Sequence, residues 1–196
     1  MYNRLGLFYT SVCKYRCAKI CFEHAKENLP DEDNIITAVI LQNLGTACSL
    51  LREFKEASKY QAQAAKIYGK FKEEEQQGHC FLNRGYAYSQ LNMLEEAKDA
   101  FLQASLVAAR CDDKMSEWQA QESLGAVEAN LNRFDRARNH LEEALYAARL
   151  HSNDKHSKSC QRIFLKLQQV VRLIPSKRMT EELKTEVHFI SPLPVA

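Results

Sequence analysis

The residues of this sequence best suited to chemistry are its seven cysteines. Cys13, Cys17 and Cys21 follow one another at intervals of four residues, which could place three thiolates along one helix for a soft metal ion. A turn predicted at Cys13, from the repeat described below, takes that residue out of line. We therefore interpret the three as small buried or half-buried thiols. Because the sequence has neither CxxC pairs nor the spacing of a disulfide framework, it favours a reducing cytoplasm and predicts no metal site.

Histidine supplies a second candidate pair. His156 lies four residues before Cys160, and His151 lies just upstream. Two ligands do not complete the tetrahedral shell of zinc, so we interpret these side chains as solvated residues near a helix start. The sequence also lacks a Gly-x-Ser-x-Gly turn, a phosphate-binding glycine loop and a His-Glu-x-x-His motif, and covalent catalysis needs a nucleophile, a base and an orienting group within reach. We predict a protein that is not an enzyme and uses no cofactor.

The composition is that of a folded chain with mixed charge. Of its 196 residues, 45% are hydrophobic and 27% are charged, which are globular proportions. The net charge of +2 comes from well-mixed signs, so we expect neither nucleic acid nor membrane as a partner. The most apolar stretch, residues 35–51, is shorter than a bilayer requires. Early charged residues argue against a secretory signal, and a mitochondrial presequence over residues 1–22 is a less favoured alternative.

A repeat predicts the elements that must position any functional residue. Four of the six glycines are spaced by 39, 40 and 40 residues, namely Gly6, Gly45, Gly85 and Gly125. An alanine stands twelve and nineteen residues beyond each of them, which gives Ala18, Ala57, Ala97 and Ala137, then Ala25, Ala64, Ala104 and Ala144. Because a glycine inside a helix costs about 1 kcal/mol relative to alanine, its regular recurrence indicates close packing of paired helices. A period of this length is typical of a solenoid or array.

Each unit of the repeat reads as two helices joined by a short turn. A large apolar residue stands nine positions beyond each glycine, namely Tyr15, Phe54, Leu94 and Phe134. Residues 31–174 contain no proline, and their apolar residues recur at helical spacing. Polar clusters at 31–34, 112–113 and 152–154 could cap helix starts, and tight turns are predicted at 52–53, 92 and 132–133. We predict hairpins over about 1–30, 34–72, 73–112 and 113–151, a capping helix over 153–174, and a frayed, flexible tail over 176–196.

The repeated residues resemble the tetratricopeptide repeat (TPR) signature of Leu-Gly, an aromatic residue, Ala, Phe and Ala. Two units carry it most fully, the second with Leu44-Gly45, Phe54, Ala57 and Ala64 and the third with Gly85, Leu94, Ala97, Phe101 and Ala104. The resemblance covers residues 1–150, with a 40-residue period similar to that of the G-protein-signalling modulator and kinesin light chain arrays. It implies an all-α, right-handed superhelical solenoid of antiparallel hairpins with a C-terminal capping helix.

Several positions depart from the TPR pattern. Arg84 stands where the other units have leucine before the glycine. The aromatic residue of the second helix varies along the chain, and its place is taken by Phe22, Gln61, Phe101 and Leu141 in turn. In the second unit we expect Tyr60 to substitute for it in a slightly rotated helix. Met1 falls part-way through the first helix, so the first hairpin either belongs to a truncated product or leaves an exposed apolar edge.

The resemblance also implies a concave groove lined by the first helix of each hairpin. Carried over position by position, the groove residues are Gln42, Asn43, Thr46, Ser49, Asn83, Tyr86, Ser89, Gln90, Glu122, Ser123 and Asn130. Asn43 and Asn83 share a register and could hydrogen-bond the backbone of an extended peptide, because a carboxamide both donates and accepts. A solvated polar face is the alternative interpretation of each residue.

We therefore expect a cytoplasmic scaffold or adaptor that binds a protein or peptide in this groove. The alternative is a structural, self-associating subunit that uses convex or terminal apolar surfaces. TPR domains that clamp the C-terminal carboxylate of chaperones use Lys and Arg beside Asn. Here those positions hold Gln42, Thr46, Leu82, Tyr86, Glu122 and Ala126, so such a clamp is not expected.

Overall fold

The computed structural model of the chain describes residues 1–29, 33–152 and 157–174. Over these ranges the regular structure is entirely α-helical, which confirms the predicted all-α solenoid. The helices are α1 (Tyr2–Ser11), α2 (Tyr15–Glu27), α3 (Ile35–Leu50), α4 (Phe54–Lys70), α5 (Glu74–Gln90), α6 (Leu94–Cys111), α7 (Lys114–Asn130), α8 (Phe134–Ser152) and α9 (Lys158–Leu173). The predicted tail at 176–196, residue His156, the side chain of His151 and the cap positions 31–32 and 153–154 lie outside the described residues.

Most successive helices are joined by the same short turn. A non-glycine residue in the left-handed region, with φ between 55° and 64°, follows the end of six helices: Cys13, Arg52, Lys72, Asn92, Asp112 and Asn132. In each case the next residue donates its N–H to a carbonyl five residues back, as Glu53 does to Cys48 at 2.8 Å. This Schellman pairing satisfies carbonyls that the helix end would leave free. The last five turns are 20 residues apart, so successive helices reverse direction at regular intervals.

Polar side chains cap three of the helices. The Asn34 carboxamide oxygen accepts the N–H of Thr37 at 2.8 Å at the start of α3. One carboxylate oxygen of Asp113 accepts the N–H groups of Met115 and Ser116 at the start of α7. Ser157 caps α9, a few residues beyond the polar cluster at 152–154 that suggested a cap. Such caps fix where a helix begins.

The glycine and alanine positions form the contact between paired helices. All eight repeated alanines are buried. A Cβ atom added to each repeated glycine would come within 2.4 to 2.6 Å of the side chain sixteen residues on, namely Phe22, Gln61, Phe101 or Leu141. No real Cβ contact is that short, so glycine is required by the close approach of the two helices.

Gln61 occupies the aromatic position of the second unit, so the expected substitution by Tyr60 is wrong. Gln61 is fully buried against Gly45 and donates from Nε2 to the carbonyl oxygen of Gln42 at 3.2 Å. Tyr60, one place earlier, is only partly buried and packs beside three separate core clusters. The helix therefore keeps the register of its neighbours and places a polar side chain where they place an apolar one.

Helix α9 covers the end of the array, and α1 begins it. The buried side of α9, with Cys160, Ile163, Leu167 and Val170, packs on a cluster formed by α7 and α8. Leu165 stands one period after Gly125 and is 58% exposed. At the other end, α1 and the residue after it expose several large apolar side chains, Leu5, Leu7, Phe8 and Val12. Among the described residues, no helix is long and apolar enough to cross a membrane.

Candidate partner groove

Gln42, predicted to line the groove, joins two helices of the array through hydrogen bonds, and its role in a groove stays a prediction. Its carboxamide oxygen accepts the hydroxyl of the buried Tyr68 at 2.9 Å, which ties α3 to α4. Its own carbonyl oxygen accepts from Gln61, as described above. With these bonds in place, the side chain of Gln42 holds the second hairpin together.

Asn43 and Asn83, the pair predicted to read a peptide backbone, have different surroundings. Asn43 donates from Nδ2 to the carboxamide oxygen of Asn3 at 3.0 Å, which links α3 to α1. Asn83 is half-buried on α5, and its carboxamide makes no hydrogen bond to any part of the chain that the structure describes. Only Asn83 therefore keeps its full donor and acceptor capacity for a ligand.

The smaller polar residues of the predicted groove mostly bond to their own helices. The hydroxyls of Thr46 and Ser123 donate to carbonyl oxygens four residues back, at 3.0 and 2.8 Å. The Ser49 hydroxyl is buried and has no partner within the described ranges. Ser89 is half-buried, while Gln90 and Asn130 are exposed at the ends of their helices. These side chains give the surface a neutral polar character.

Four of the predicted groove residues meet at one cavity between α5 and α7. The cavity has a volume of about 230 Å³ and is lined by Leu82, Asn83, Tyr86, Phe101, Gln119, Glu122 and Ser123. Tyr86 is 51% exposed, and its ring meets that of Phe54 edge-on at a centroid distance of 6.2 Å. Leu82, Phe101 and Gln119 were not among the predicted site residues. Phe101 was identified only as a packing residue, yet the same ring that fills the glycine contact also forms the cavity wall.

Glu122, which was predicted to line the groove, is held by the capping helix. Its side chain is 7% exposed and accepts from Arg162 Nε at 2.9 Å, Arg162 Nη2 at 2.7 Å and Lys166 Nζ at 2.7 Å. Burial alone would raise the pKa of Glu122, but the hydrogen bonds from the two cations outweigh it and lower the pKa below its ordinary value. The carboxylate is therefore ionised and already paired.

Arg162 and Lys166 contact the cavity-lining Glu122 and were not among the predicted groove residues. Relative to Leu165 they stand three before and one after, which are groove positions of the repeat. The guanidinium of Arg162 also lies over the ring of Trp118, 5.8 Å from its centroid. Extending the 40-residue register into α9 would have found both, although α9 lacks the glycine and alanines of a fifth unit.

The comparison with known proteins supports this architecture directly. The sequence model of the tetratricopeptide repeat family matches residues 78–109, which span most of the hairpin α5–α6. The matched hairpin is therefore a tetratricopeptide repeat, and the chain as a whole has a TPR-like fold. No curated protein matches its sequence. The finer resemblance of its repeats to the C-terminal repeats of tetratricopeptide repeat protein 24 therefore stays a prediction.

Solved TPR-like structures share the fold at low sequence identity. The apo form of RapI superposes with a TM-score of 0.81 at 17% identity, covering 96% of this chain and 68% of that one. A Podosopora anserina protein described as a kinesin light chain with nearly identical TPR-like repeats gives 0.73 at 16% identity, covering 96% and 92%. The Rap conjugation gene regulator of plasmid pLS20, in complex with the Phr* peptide, gives 0.66 at 17% identity, covering 96% and 50%. Identities this low establish the fold alone.

Within the described ranges, two clusters bring metal-ligand atoms together, and each contacts other polar or charged groups of the chain. Cys48, Glu53 and Glu56 surround the ammonium of Lys19, which lies 2.5 Å from Glu53 and 2.9 Å from Glu56. Burial raises the pKa of Cys48 to about 12, so its thiol stays protonated at neutral pH.

The second cluster joins α5 to the start of α7. Glu75, His79 and Asp113 hold ligand atoms within 4.8 Å of one another. Asp113 caps α7 with one oxygen and lies 3.2 Å from His79 Nε2 with the other. The expected absence of a metal site stays a prediction.

The cysteines differ in exposure more than the sequence indicated. Cys21, Cys48, Cys80 and Cys160 are buried and Cys111 is half-buried, as expected for small packing residues. Cys13 and Cys17 are exposed, so their interpretation as buried or half-buried is wrong. Cys13 lies in the turn between α1 and α2 with φ of 58°, outside the line of Cys17 and Cys21 on α2.

Proposed function

We propose that the protein is a non-catalytic interaction scaffold that binds a peptide or helical segment of a partner in its concave groove. The cavity between α5 and α7 is the observation that carries the proposal. It combines an exposed aromatic ring, Tyr86, with a carboxamide, Asn83, that has no partner among the described residues. An extended peptide offers both N–H and C=O groups to such a carboxamide, and an amphipathic ring suits a protein interface.

The shape of the array supports a peptide or helix as the ligand. Stacked hairpins of this kind present one continuous concave surface. The cavity lies between successive first helices, the helices expected to line that surface. A Rap protein with the same fold binds the Phr* peptide. Since one fold hosts many ligands, that likeness only adds to what the residues of the groove indicate.

Removing the two groove side chains tests the proposal. The double variant Asn83→Ala and Tyr86→Ala should bind captured partner proteins and their derived peptides at least about tenfold more weakly, by isothermal titration calorimetry. The matched control is Gln63→Ala with Phe71→Ala, which removes an exposed carboxamide and an exposed aromatic ring elsewhere on the array. If the groove variant keeps its fold by circular dichroism and binds every partner as tightly as the control, the groove assignment is wrong.

Self-association is a second candidate function, favoured by the apolar side chains that α1 exposes. Leu5, Leu7 and Phe8 lie on one short helix and Val12 directly follows it, and clustered exposed apolar residues mark interaction sites. Multi-angle light scattering should then show a concentration-dependent oligomer that Phe8→Ser converts to monomer. A monomer at all concentrations would remove this candidate and leave groove binding untouched.

A further inference from the structure

One cluster of metal-ligand groups, here called the α5–α7 cluster, joins the third hairpin to the fourth. It consists of Glu75 and His79 on α5 and Asp113 at the start of α7, whose ligand atoms all lie within 4.8 Å of one another. The three residues line one recess whose buried wall includes Gly78 and Val107. Glu75 makes no hydrogen bond or ion pair with any part of the chain that the structure describes. Its carboxylate is therefore available to a ligand.

The comparable cluster at the turn between α3 and α4 contains a cation of the protein itself. The ammonium of Lys19 lies 2.5 Å from Glu53 and 2.9 Å from Glu56. Carboxylates held close together repel one another, and a cation between them removes that repulsion. The two acids of that cluster therefore have no need of an added ion.

The basic residues next to the α5–α7 cluster pair with other acids. Arg110 lies 3.2 Å from Glu74, and Lys114 lies 3.0 Å from Asp112 and 3.1 Å from Glu117. Within the described ranges, neither carboxylate of the cluster forms an ion pair with a lysine or arginine. The one basic group beside them is an imidazole, which is charged only when it is protonated. A divalent cation would neutralise the pair of carboxylates.

The geometry of the α5–α7 cluster suits a shared ion. His79 Nε2 lies 3.2 Å from Asp113 Oδ2. Two tetrahedral ligands, each about 2.0–2.1 Å from a zinc ion, are separated by roughly 3.3 Å. The other oxygen of Asp113 accepts the N–H groups of Met115 and Ser116, which fixes the orientation of the carboxylate. Glu75 stands one helical turn before His79 on an exposed part of the same face, so a rotation of its side chain brings it onto the ion.

We propose that Glu75, His79 and Asp113 bind a divalent transition-metal ion, Zn²⁺, which ties α5 to the start of α7. An imidazole nitrogen with two carboxylates is a donor set of zinc, whereas Mg²⁺ and Ca²⁺ take oxygen ligands. The ion lies between Nε2 of a neutral imidazole and Oδ2, and water completes the tetrahedral shell.

This site goes beyond the scaffold function and does not depend on the cavity between α5 and α7. It also goes against the absence of a metal site expected from the sequence. Asp113 follows His79 by 34 residues, so no short motif joins the ligands. They meet only because the second helix of the hairpin returns the chain to α5.

Calorimetric titration of the full chain with zinc chloride tests the site. The titrated protein carries Cys13→Ser and Cys17→Ser, because these exposed thiols are alternative zinc ligands. It should bind one equivalent of Zn²⁺ that His79→Ala and Asp113→Asn each weaken at least about tenfold. Asp113→Asn keeps a side-chain oxygen that can cap α7, so a loss of binding in this variant is not a loss of fold. Magnesium chloride should give no comparable binding.

The matched control is His24→Ala. His24 is another exposed histidine that lies 3.1 Å from a carboxylate, that of Glu27, but no third ligand stands beside the pair among the described residues. This variant should keep the zinc equivalent. Thermal melts give a second readout: Zn²⁺ should raise the melting temperature of the titrated protein and of His24→Ala but not that of His79→Ala, because only a bound ion stabilises the fold.

Four results would each overturn the metal site. They are no zinc binding, zinc binding that His79→Ala leaves unchanged, an affinity for Mg²⁺ equal to that for Zn²⁺, and loss of the zinc equivalent in Cys111→Ser. The second would show an adventitious ion on other surface residues only. The last would show that the donor is the half-buried thiol of Cys111, which lines the same recess, and not the proposed nitrogen and oxygen set.

Discussion

At the residue scale, Glu122 is the most consequential side chain of the groove. Its carboxylate is buried on α7, while its two cations project from α9, forty and forty-four residues later in the sequence. A buried charge is tolerated only when it is paired and hydrogen-bonded. Glu122 therefore ties the capping helix to the last hairpin and orders the two cations beside the cavity.

Glu122→Gln should lower the free energy of unfolding by about 1–2 kcal/mol, because a neutral amide replaces three charge-assisted hydrogen bonds. Urea denaturation followed by circular dichroism measures the loss. The control Glu96→Gln changes an exposed acid on α6 and should stay within about 0.5 kcal/mol of the wild type. Equal midpoints for both variants would contradict a stabilising role for the Glu122 cluster.

The same cluster predicts a pH dependence. The pKa of Glu122 is lower in the folded state than its ordinary value near 4.5. A lowered folded pKa means that the stabilisation is complete above the ordinary pKa and is lost as the pH falls through the folded pKa. The difference in unfolding free energy between wild type and Glu122→Gln should thus be constant near neutral pH and shrink under acid conditions. A difference that grows on acidification would contradict the ion-pair account.

Part of this candidate site was predictable from the sequence. The repeat register placed Asn83, Tyr86, Glu122 and Ser123 on first helices, and the structure brings these four to one cavity. The partners of Gln42, Asn43 and Glu122 were missed because each lies on another helix, 19 to 44 residues away. A register tells which positions share a face, but hydrogen-bond partners depend on side-chain conformations across that face.

At the element scale, the joint between α4 and α5 differs from its equivalents. Phe22 and Leu44 share one core cluster at the joint of α2 and α3, and Phe101 and Leu124 share one at the joint of α6 and α7. The residues at these positions between α4 and α5 are Gln61 and Arg84. Arg84 donates to the Tyr88 hydroxyl at 2.9 Å, while Gln61 Oε1 is buried without a partner in the described structure.

Gln61→Leu should therefore stabilise the array, by about 1 kcal/mol in urea denaturation, because it removes an unsatisfied buried amide oxygen and adds apolar contact. The lost bond from Nε2 to the Gln42 carbonyl is the opposing cost, which keeps the expected gain small. Leu141→Gln is the mirror variant and should destabilise by more than the gain, since it buries a carboxamide in an apolar cluster. A destabilised Gln61→Leu protein would show that the amide is better satisfied than its geometry indicates.

The glycine contacts make a sharper prediction about paired helices. Gly125→Ala places a Cβ 2.6 Å from Leu141 Cγ and 3.2 Å from the Ala137 carbonyl oxygen. Because that oxygen is a backbone atom, the contact is relieved only if the helix itself shifts. We expect a loss of about 1–3 kcal/mol despite the better helix propensity of alanine. Gly69→Ala is the control, because its Cβ would meet only the amide end of the flexible Gln77 side chain, which can move at the cost of its hydrogen bond to the Ala65 carbonyl oxygen. In thermal melts the melting temperature of Gly69→Ala should be well above that of Gly125→Ala, and the reverse order would contradict the close-packing explanation.

The turns show which helix boundaries the sequence predicts and which it does not. The 40-residue glycine period predicts paired helices, and turns at Arg52, Asn92 and Asn132 lie where polar residues interrupt the apolar pattern. The same left-handed turn recurs at Lys72, where the repeat predicted a boundary between hairpins but no residue type indicated a tight turn. Lysine has no special preference for that conformation, so the turn is imposed by packing of the helices on either side.

At the scale of the whole molecule, the array is a chain of nearest-neighbour contacts closed by α9. Each helix contacts mainly its neighbours in sequence, with smaller contacts between alternate first helices such as α5 and α7. In such an array stability is approximately a sum of unit and interface terms, so damage at one end spreads only gradually. The cavity and the cations of α9 belong to the last two hairpins and the cap, so the proposed binding at the cavity requires this end to stay folded.

Ile163→Ala tests that coupling between the cap and the groove. Ile163 is fully buried on α9 against the cluster with Trp118 and Leu141, so its truncation should cost about 2–4 kcal/mol. Because coupling runs through neighbours, hydrogen exchange should accelerate most in α8 and α9, less in α5 and α6, and least in α3 and α4. Leu165→Ala truncates an exposed side chain two residues along the same helix and should leave all rates unchanged. Uniform acceleration of exchange along the whole chain after Ile163→Ala would mean that the hairpins unfold as one cooperative unit. The cap would then stabilise the entire array and not mainly the hairpins nearest to it.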